Sequence, residues 1–341
     1  MQRPAPHLSR GRRAFSFAAT APKVPWHAMP ELPDISVYID ALRPRVVGRR
    51  LAGVTVRSIF LVRSVEPPLE SLVGREVRGV ERIGKRIVLA LEGESFLVFH
   101  LMIAGRLLWK PLGARPKGKV DLASFGFEGG GGDAARGGTL VLYEAGTQKR
   151  ASLHAVDGRE GLAAHDRGGV DLMTCSAESF AAALRRENHT IKRSLTDPRI
   201  VDGVGNAYSD EILHAAKLGP LKLTSALSDA EIARLHDAAK RTLSHWIEEL
   251  RREFGIDPSR GEVGRFPGVG EITAFRPGFG VHGRFGKPCP VCGAPVQRIV
   301  YAENETNYCA ACQTGGRVLA DRSMSRLLKS DWPSRLEEWE A

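Results

Sequence analysis

The hydrophobic rhythm of the chain changes three times after residue 28. "PDISVYIDALRPRVVG" sets Ile35, Tyr38, Ile39 and Leu42 at helical spacing, which predicts an amphipathic helix ending near Pro44 and Gly48. Short runs rich in β-branched and aromatic residues follow: "RLAGVTVRSIFLV", "REVRGVERIG", "KRIVLALEG", "SFLVFHLMIAGRLLW" and "GTLVLYEAG". Glycine turns bound them, so they predict strands of an antiparallel sandwich or barrel reaching to about residue 155. "GFEGGGGDAARGG" (Gly126 to Gly138) reads as a flexible loop between two of them. Helical periodicity then takes over. Ser176 is placed to cap "AESFAAALRREN", and Ser228 with Glu231 stands at capping-box spacing before a long helical run. A Gly/Pro-rich connector, "RGEVGRFPGVGE", leads to a cysteine-bearing segment, and the tail "RSMSRLLKSDWPSRLEEWEA" predicts a short amphipathic helix. No internal repeat is present. The pattern divides the chain into an extension (1–28), a helix plus antiparallel β-sandwich (29–155), a helical domain (170–260), a cysteine segment (275–315) and a tail (316–341). This is an α+β multidomain organisation.

Composition narrows the function. The 341 residues are 43% hydrophobic and 26% charged, which suits a globular chain with substantial cores. No run approaches the roughly 18 apolar residues a membrane helix needs, so no membrane partner is expected. The net charge of +10 favours a polyanionic partner. Five of those charges (Arg3, Arg10, Arg12, Arg13 and Lys23) lie in the acid-free residues 1–28, so the remainder is only mildly basic. That extension lacks the apolar stretch of a secretory signal. It reads equally as an Arg-rich transit peptide or as the product of a start codon assigned upstream of Met29.

Cys289, Cys292, Cys309 and Cys312 form two CxxC pairs, a spacing that predicts a zinc site rather than a disulfide framework. Four thiolates close a tetrahedron and leave no place for water, so one structural Zn²⁺ holding a β-hairpin is expected. Cys175, in "DLMTCSAES", has no basic neighbour or second thiol and reads as a small buried apolar residue.

Four separated segments together resemble one family. They are "MPELPD" before a helix, "RIGKRIVLALEG…FLVFHLMIAGRL" in the β-region, "DGVGNAYSDEILHAAKLGP" between helices, and "VHGRFGKPCPVCGAPVQRIV…YCAACQ". In this order, over roughly residues 29 to 313, they resemble the formamidopyrimidine-DNA glycosylase/endonuclease VIII family of base-excision repair enzymes. The resemblance implies a β-sandwich with an N-terminal helix, a helix–two-turn–helix domain and a four-cysteine zinc-finger hairpin. It implies a bifunctional DNA glycosylase and abasic-site lyase, acting as a monomer on double-stranded DNA with oxidised bases or abasic sites. A cytoplasmic, nucleoid-associated location goes with that, organellar targeting by residues 1–28 being the alternative.

Family members use an N-terminal proline as nucleophile, here Pro30, which is a secondary amine only when it begins the chain. A start at Met29, with that methionine removed, would provide this. By the same resemblance Glu31 is the acid that protonates the sugar-ring oxygen, and Lys85 approaches the lesion or its phosphate. Lys192 and Asn206 are phosphate contacts. Read alone, Lys85 after Gly84 is a solvated turn residue, "GVGN" is a tight turn, and "PELPD" is a helix start.

Several positions depart from the family pattern. Ser36 stands where many members carry a glutamate lining the lesion pocket, and "HLMIAG" replaces "HLGMSG", putting Ile103 where a void-filling Met is expected. The loop "YEAGTQKRASL" has no aromatic wedge, leaving Met102 or the Lys149–Arg150 pair to fill the space of a flipped base. Asn304 replaces the hairpin arginine tied to the second elimination, with Arg298 or Arg317 as substitutes, so β-elimination is expected and δ-elimination is in doubt. The rival reading is a non-catalytic binder of damaged or abasic DNA on the same fold.

Overall fold

The computed structural model describes residues 29–129, 137–146, 148–273, 275–301, 304–319 and 335–336. The extension, the centre of the glycine loop and most of the tail, including its expected helix, lie outside the described residues.

Helix α1 (Leu32–Val46) opens with Pro33 in its first turn, where no N–H is needed. It carries Pro44 within its last turn and ends two residues later at Val46, between Pro44 and Gly48 as expected. Its buried side chains belong to two cores. Leu32 packs in the helical domain, whereas Ile35, Tyr38 and Leu42 pack in the sandwich.

The sandwich consists of β1 (Leu51–Val56), β2 (Val77–Ile83), β3 (Arg86–Leu91), β4 (Ser95–His100), β5 (Gly105–Pro111), β6 (Asp121–Phe127), β7 (Gly138–Glu144) and β8 (Ser152–Asp157). They form two four-stranded antiparallel sheets, ordered β1-β6-β7-β5 and β2-β3-β4-β8. Phe99 of one sheet meets Phe125 of the other edge to face, with ring centroids 5.0 Å apart. Three details differ from the sequence reading. Strands β6 and β8 were not anticipated. "SFLVFHLMIAGRLLW" is two strands joined by a turn at Leu101–Ala104. The apolar end of "RLAGVTVRSIFLV" leaves the sheet after Val56, and Ile59 and Phe60 face solvent.

Helix α2 (Gly158–Ala163) follows β8 and packs on the sandwich, where Leu162 joins Val88, Phe96 and Val156. The helical domain contains β9 (Val170–Asp171), α3 (Ala177–Arg185), α4 (Ile191–Thr196), β10 (Val201–Asp202), α5 (Asn206–Ala215) and α6 (Asp229–Phe254). The short strands β9 and β10 pair in parallel. Both expected caps form. Ser176 Oγ accepts from Ser179 N at 3.2 Å, and Ser228 and Glu231 make the reciprocal capping box, at 3.2 and 3.0 Å. Helix α6 begins in the helical core with Ile232 and Leu235 and ends in the sandwich core with Leu250 and Phe254. Cys175 is half-buried rather than fully buried, its Sγ 3.6 Å from His236 Nε2, and burial raises its thiol above the usual range. It is not poised as a nucleophile.

The last unit is a hairpin of β11 (Val296–Tyr301) and β12 (Asn304–Cys309) followed by α7 (Ala310–Thr314).

Candidate active site and metal centre

Helix α5 organises both sites. Gly203 precedes it in the left-handed region, at φ +81°, and its carbonyl accepts the Leu32 N–H at 2.9 Å. A Cβ there would lie 2.9 Å from Leu32 Cδ1, so only glycine permits the approach. The start of α1 is thus bound directly to the turn before α5.

That docking places the Glu31 carboxylate on the N-terminus of α5. It accepts from Gly205 N at 2.6 Å, Ala207 N at 2.9 Å and Tyr208 N at 3.2 Å. These are N–H groups that a helix start leaves without partners, and the helix dipole favours an anion there. Lys85 arrives from the other side. A methyl on Gly205 would come within 2.6 Å of both Glu31 Oε1 and Lys85 Nζ. Gly205 therefore provides the gap across which acid and amine face each other.

The β2–β3 turn that carries Lys85 is held by the helical domain. Asp202 Oδ2 accepts from Gly84 N at 3.0 Å and from Arg82 at 2.9 Å, and Arg82 also pairs with Asp171. Lys85 is accordingly half-buried and fixed, not the solvated residue its local sequence suggests. Burial lowers the Lys85 ammonium from its usual range, opposed by Glu31 and Asp202. Burial also raises the Glu31 carboxyl, opposed first by Lys85 and then by the backbone donors. Both shifts come from removing charge from water.

Pro30 is buried beside Glu31. The backbone there is pinned by Asp34, whose Oδ2 accepts the Glu31 N–H at 2.9 Å while Oδ1 pairs with Arg276 at 2.6 Å in a buried ion pair. Neither Arg276 nor Asp202 was singled out in the sequence, and no local signal marks them.

Lys192 and Asn206 stand at the same end of α5. Lys192 Nζ donates to the Asn206 carbonyl at 2.7 Å and to the fully buried Asp210 at 2.5 Å. Asn206 Nδ2 donates to Glu305 O of the hairpin at 2.9 Å. Ser36 bonds back to Leu32 O at 2.8 Å and faces a cavity of about 400 Å³ with Asp40, Arg43 and Arg251 among its lining residues.

Met102 and Ile103 lie half-buried in the β4–β5 turn, Met102 with φ +52°, a left-handed conformation that costs a non-glycine residue about 1–2 kcal/mol. Lys149 is turned back onto the Glu144 carbonyl.

The four cysteine sulfurs lie within 4.8 Å of one another, Cys292–Cys309 at 3.4 Å and Cys289–Cys312 at 4.0 Å. Bonds of about 2.3 Å in a tetrahedron put sulfurs about 3.8 Å apart, so the donor set fits Zn²⁺. His214 of α5 approaches Cys289 Sγ at 3.3 Å, as a neighbour that orients a ligand does.

The middle of α5 grips this unit. Glu211 accepts from Gly280, Val281 and His282 N–H groups at 2.7, 2.9 and 2.8 Å, and Asp210 accepts from Asn307 N and His282 Nδ1 at 3.1 and 2.8 Å. Two adjacent acids in a helix whose neighbours are buried were the missed sequence signal. Arg298 stacks its guanidinium 4.2 Å from the Phe285 ring centroid and pairs with Glu305 at 3.3 Å. Arg317 is exposed, and Asn304 opens β12.

Comparison with known proteins matches three family descriptions in series. Residues 29–139 match the formamidopyrimidine-DNA glycosylase N-terminal domain, residues 171–254 its H2TH domain, and residues 286–315 the zinc finger found in FPG and IleRS. The formamidopyrimidine-DNA glycosylase of Solibacter usitatus is 32% identical over 289 residues, covering 84% of this chain and 99% of that one. That of Cupriavidus pinatubonensis is 35% identical over 306 residues, covering 84% and 100%. Among solved structures, Lactococcus lactis Fpg in complex with abasic-site DNA aligns with TM-score 0.69 at 25% identity, covering 83% of this chain and 99% of that one. With a β-sandwich, a helix–two-turn–helix domain and a four-cysteine finger in that order, the chain belongs to the formamidopyrimidine-DNA glycosylase family. Among the described residues no helix is long and apolar enough to cross a membrane.

Proposed function

We propose that this protein is a DNA glycosylase for oxidised bases with an associated abasic-site lyase, acting on double-stranded DNA through the amine of Pro30. The observation that carries the reading is the Glu31 carboxyl held dry on the α5 N-terminus, opposite Lys85 and beside Pro30.

In a chain that begins at Pro30, the proline nitrogen is a secondary amine, with an α-amino pKa of roughly 7.7–8.0. It attacks C1′ of the flipped nucleotide as the C1′–base bond breaks; the base leaves with that electron pair and takes up the proton the proline nitrogen gives up, so the nitrogen regains a lone pair to open the ring. Glu31 delivers its proton to the sugar-ring oxygen as the ring opens, leaving an iminium. That cation draws electrons from the C2′–H bond, a proton departs, and the C3′–O bond breaks to release the 3′-phosphate. Lys85 places positive charge beside the reacting sugar. Asn206 and Lys192 border the α5 N-terminus, where a phosphate is favoured, and such contacts set the register of the duplex.

One Zn²⁺ held by Cys289, Cys292, Cys309 and Cys312 fixes the hairpin and takes no part in the chemistry. Asn304 has no cationic side chain and Arg298 is engaged by Phe285 and Glu305, so the site supplies β-elimination, and a second elimination would fall to the exposed Arg317.

Borohydride trapping of a chain starting at Met29 on an abasic-site duplex tests this. A covalent band on a denaturing gel, lost when the terminal amine of Pro30 is blocked, is the expected result. Retention of the duplex in a shift assay without any band would leave a damaged-DNA binder and overturn the lyase.

A further inference from the structure

The connection from β1 to β2 joins opposite edges of the sandwich. Arg57 N still donates to Leu122 O of β6 at 2.8 Å, at the β1 edge of one sheet. Four residues on, Leu61 O accepts from Leu153 N at 2.8 Å and Arg63 N donates to Leu153 O at 2.9 Å, at the β8 edge of the other sheet. Ser64 Oγ accepts from Ala155 N at 2.8 Å. Leu61 is only 1% exposed and anchors the crossing in the core. At the apex, Ile59 is 82% exposed and Phe60 69%. A single exposed apolar residue needs no explanation, but two large ones in succession on a connection bonded at both ends form a patch that does.

Register places the apex on the same end of the sandwich as the active site. Ser152, at the start of β8, pairs with His100, and His100 pairs with Arg86, the residue after Lys85. Residues 61–63 lie beside β8 and run parallel to it, so residues 58–60 project past this row. Strands spaced about 4.8 Å put the crossing about 14 Å from β3, which is about four base steps of duplex. Arg57 and Arg63 flank the apex along the chain. Both are exposed, and neither pairs with a carboxylate among the described residues. Arg57 donates to the Gly118 carbonyl at 2.7 Å, which braces it without neutralising it. Charge on the outside and apolar surface between suit a partner with phosphates outside and stacked bases within.

We propose that Ile59 and Phe60 are an apolar wedge that stacks on bases of the duplex within a few steps of the target nucleotide, with Arg57 and Arg63 on the flanking phosphates. The wedge rests on the glycosylase reading and adds to it a contact on the β1–β2 connection. Apolar side chains inserted at base steps hold DNA bent and unstacked, a state that a damaged site reaches at lower cost. The loss of Phe60 therefore falls more heavily on damaged than on intact duplex.

The test uses the chain from Met29 and fluorescence anisotropy on two duplexes, one intact and one with a tetrahydrofuran abasic analogue. Phe60→Ala is expected to weaken the tetrahydrofuran duplex about tenfold, the size of one lost base–aromatic stack, and the intact one less than twofold. Phe60→Trp is expected to restore tight binding, with its indole emission quenched on the tetrahydrofuran duplex. Wild type preferring damaged duplex while Phe60→Ala binds identically would overturn the wedge alone. So would an unquenched indole, or loss in Phe60→Ala of self-association with DNA affinity intact, which would assign the apex to a protein contact. A wild type that binds neither duplex would overturn the glycosylase reading and the wedge with it.

Discussion

Glu31 and Glu211 have nearly the same surroundings and opposite consequences. Each is buried, each carboxylate accepts three backbone N–H bonds from a turn distant in sequence, and burial raises each carboxyl above its ordinary range. Glu31 faces a lysine across a gap that only a glycine leaves, whereas the strongest side-chain charge on Glu211 is another acid, Asp210. Burial and hydrogen bonding alone make a clasp. On the proposed function, a cation of lowered proton affinity and a reserved space turn the same clasp into a site for proton transfer. The Glu31 carboxylate caps the start of α5 from outside, whereas Glu211 projects from the middle of that helix, and what faces each of them makes the distinction.

The largest effect expected from this comparison is on chemistry. Glu31→Gln keeps the shape and removes the proton, so turnover on a damaged duplex should fall about 10²–10⁴-fold with the melting temperature little changed. Equal turnover in a single-turnover assay would reduce Glu31 to a clasp as well. Glu211→Gln should do the reverse. It weakens bonds to three buried N–H groups, lowering stability by about 1–3 kcal/mol and loosening the finger, as read by denaturant unfolding and by zinc release to a chromogenic chelator.

The two facing glycines give a finer contrast. Gly205→Ala drives a methyl to 2.5 Å from Glu31 Cδ, whereas Gly280→Ala meets His214 Nδ1 at 3.0 Å and Glu211 Oε2 at 3.4 Å. The first should abolish trapping, and the second should leave it within a few-fold. The smallest effect is on pH. The Glu31 proton and the Lys85 charge are both lost as pH rises, Glu31 later than an ordinary carboxylic acid and Lys85 earlier than an ordinary amine. The alkaline fall of kcat/KM should thus be steeper than one proton. Lys85→Arg, charged throughout, should reduce it to the single-proton slope of Glu31, and an unchanged slope would remove Lys85 from the titration.

What could be read in the sequence follows the reach of each signal. The CxxC pairs and the two helix caps act over three residues, and each appears in the structure at its expected place. Helix α1 was legible from its periodicity, and its end at Val46 falls between Pro44 and Gly48, where the breakers in the sequence placed it. "SIFLV" has the composition of a strand and is a crossing, since strand composition reports apolar fit and not the presence of a neighbouring strand. Strand β6 was hidden by its glycine and by the glycine-rich loop after it. The fixing of Lys85 depends on Asp202, 118 residues from Gly84. No window along the chain contains that information.

The cradle of Glu31 is 174 residues downstream of it in the chain. At synthesis rates of about 5–20 residues per second, Glu31 waits about 9–35 s before Gly205 has even been made. Through that interval it is an ordinary ionised side chain on a nascent segment, with neither its raised proton affinity nor Lys85 held opposite. If Glu31 is the acid of the proposed reaction, that acid is unassembled until the last of its two cores has closed, and a chain arrested midway carries no competent acid to the genome.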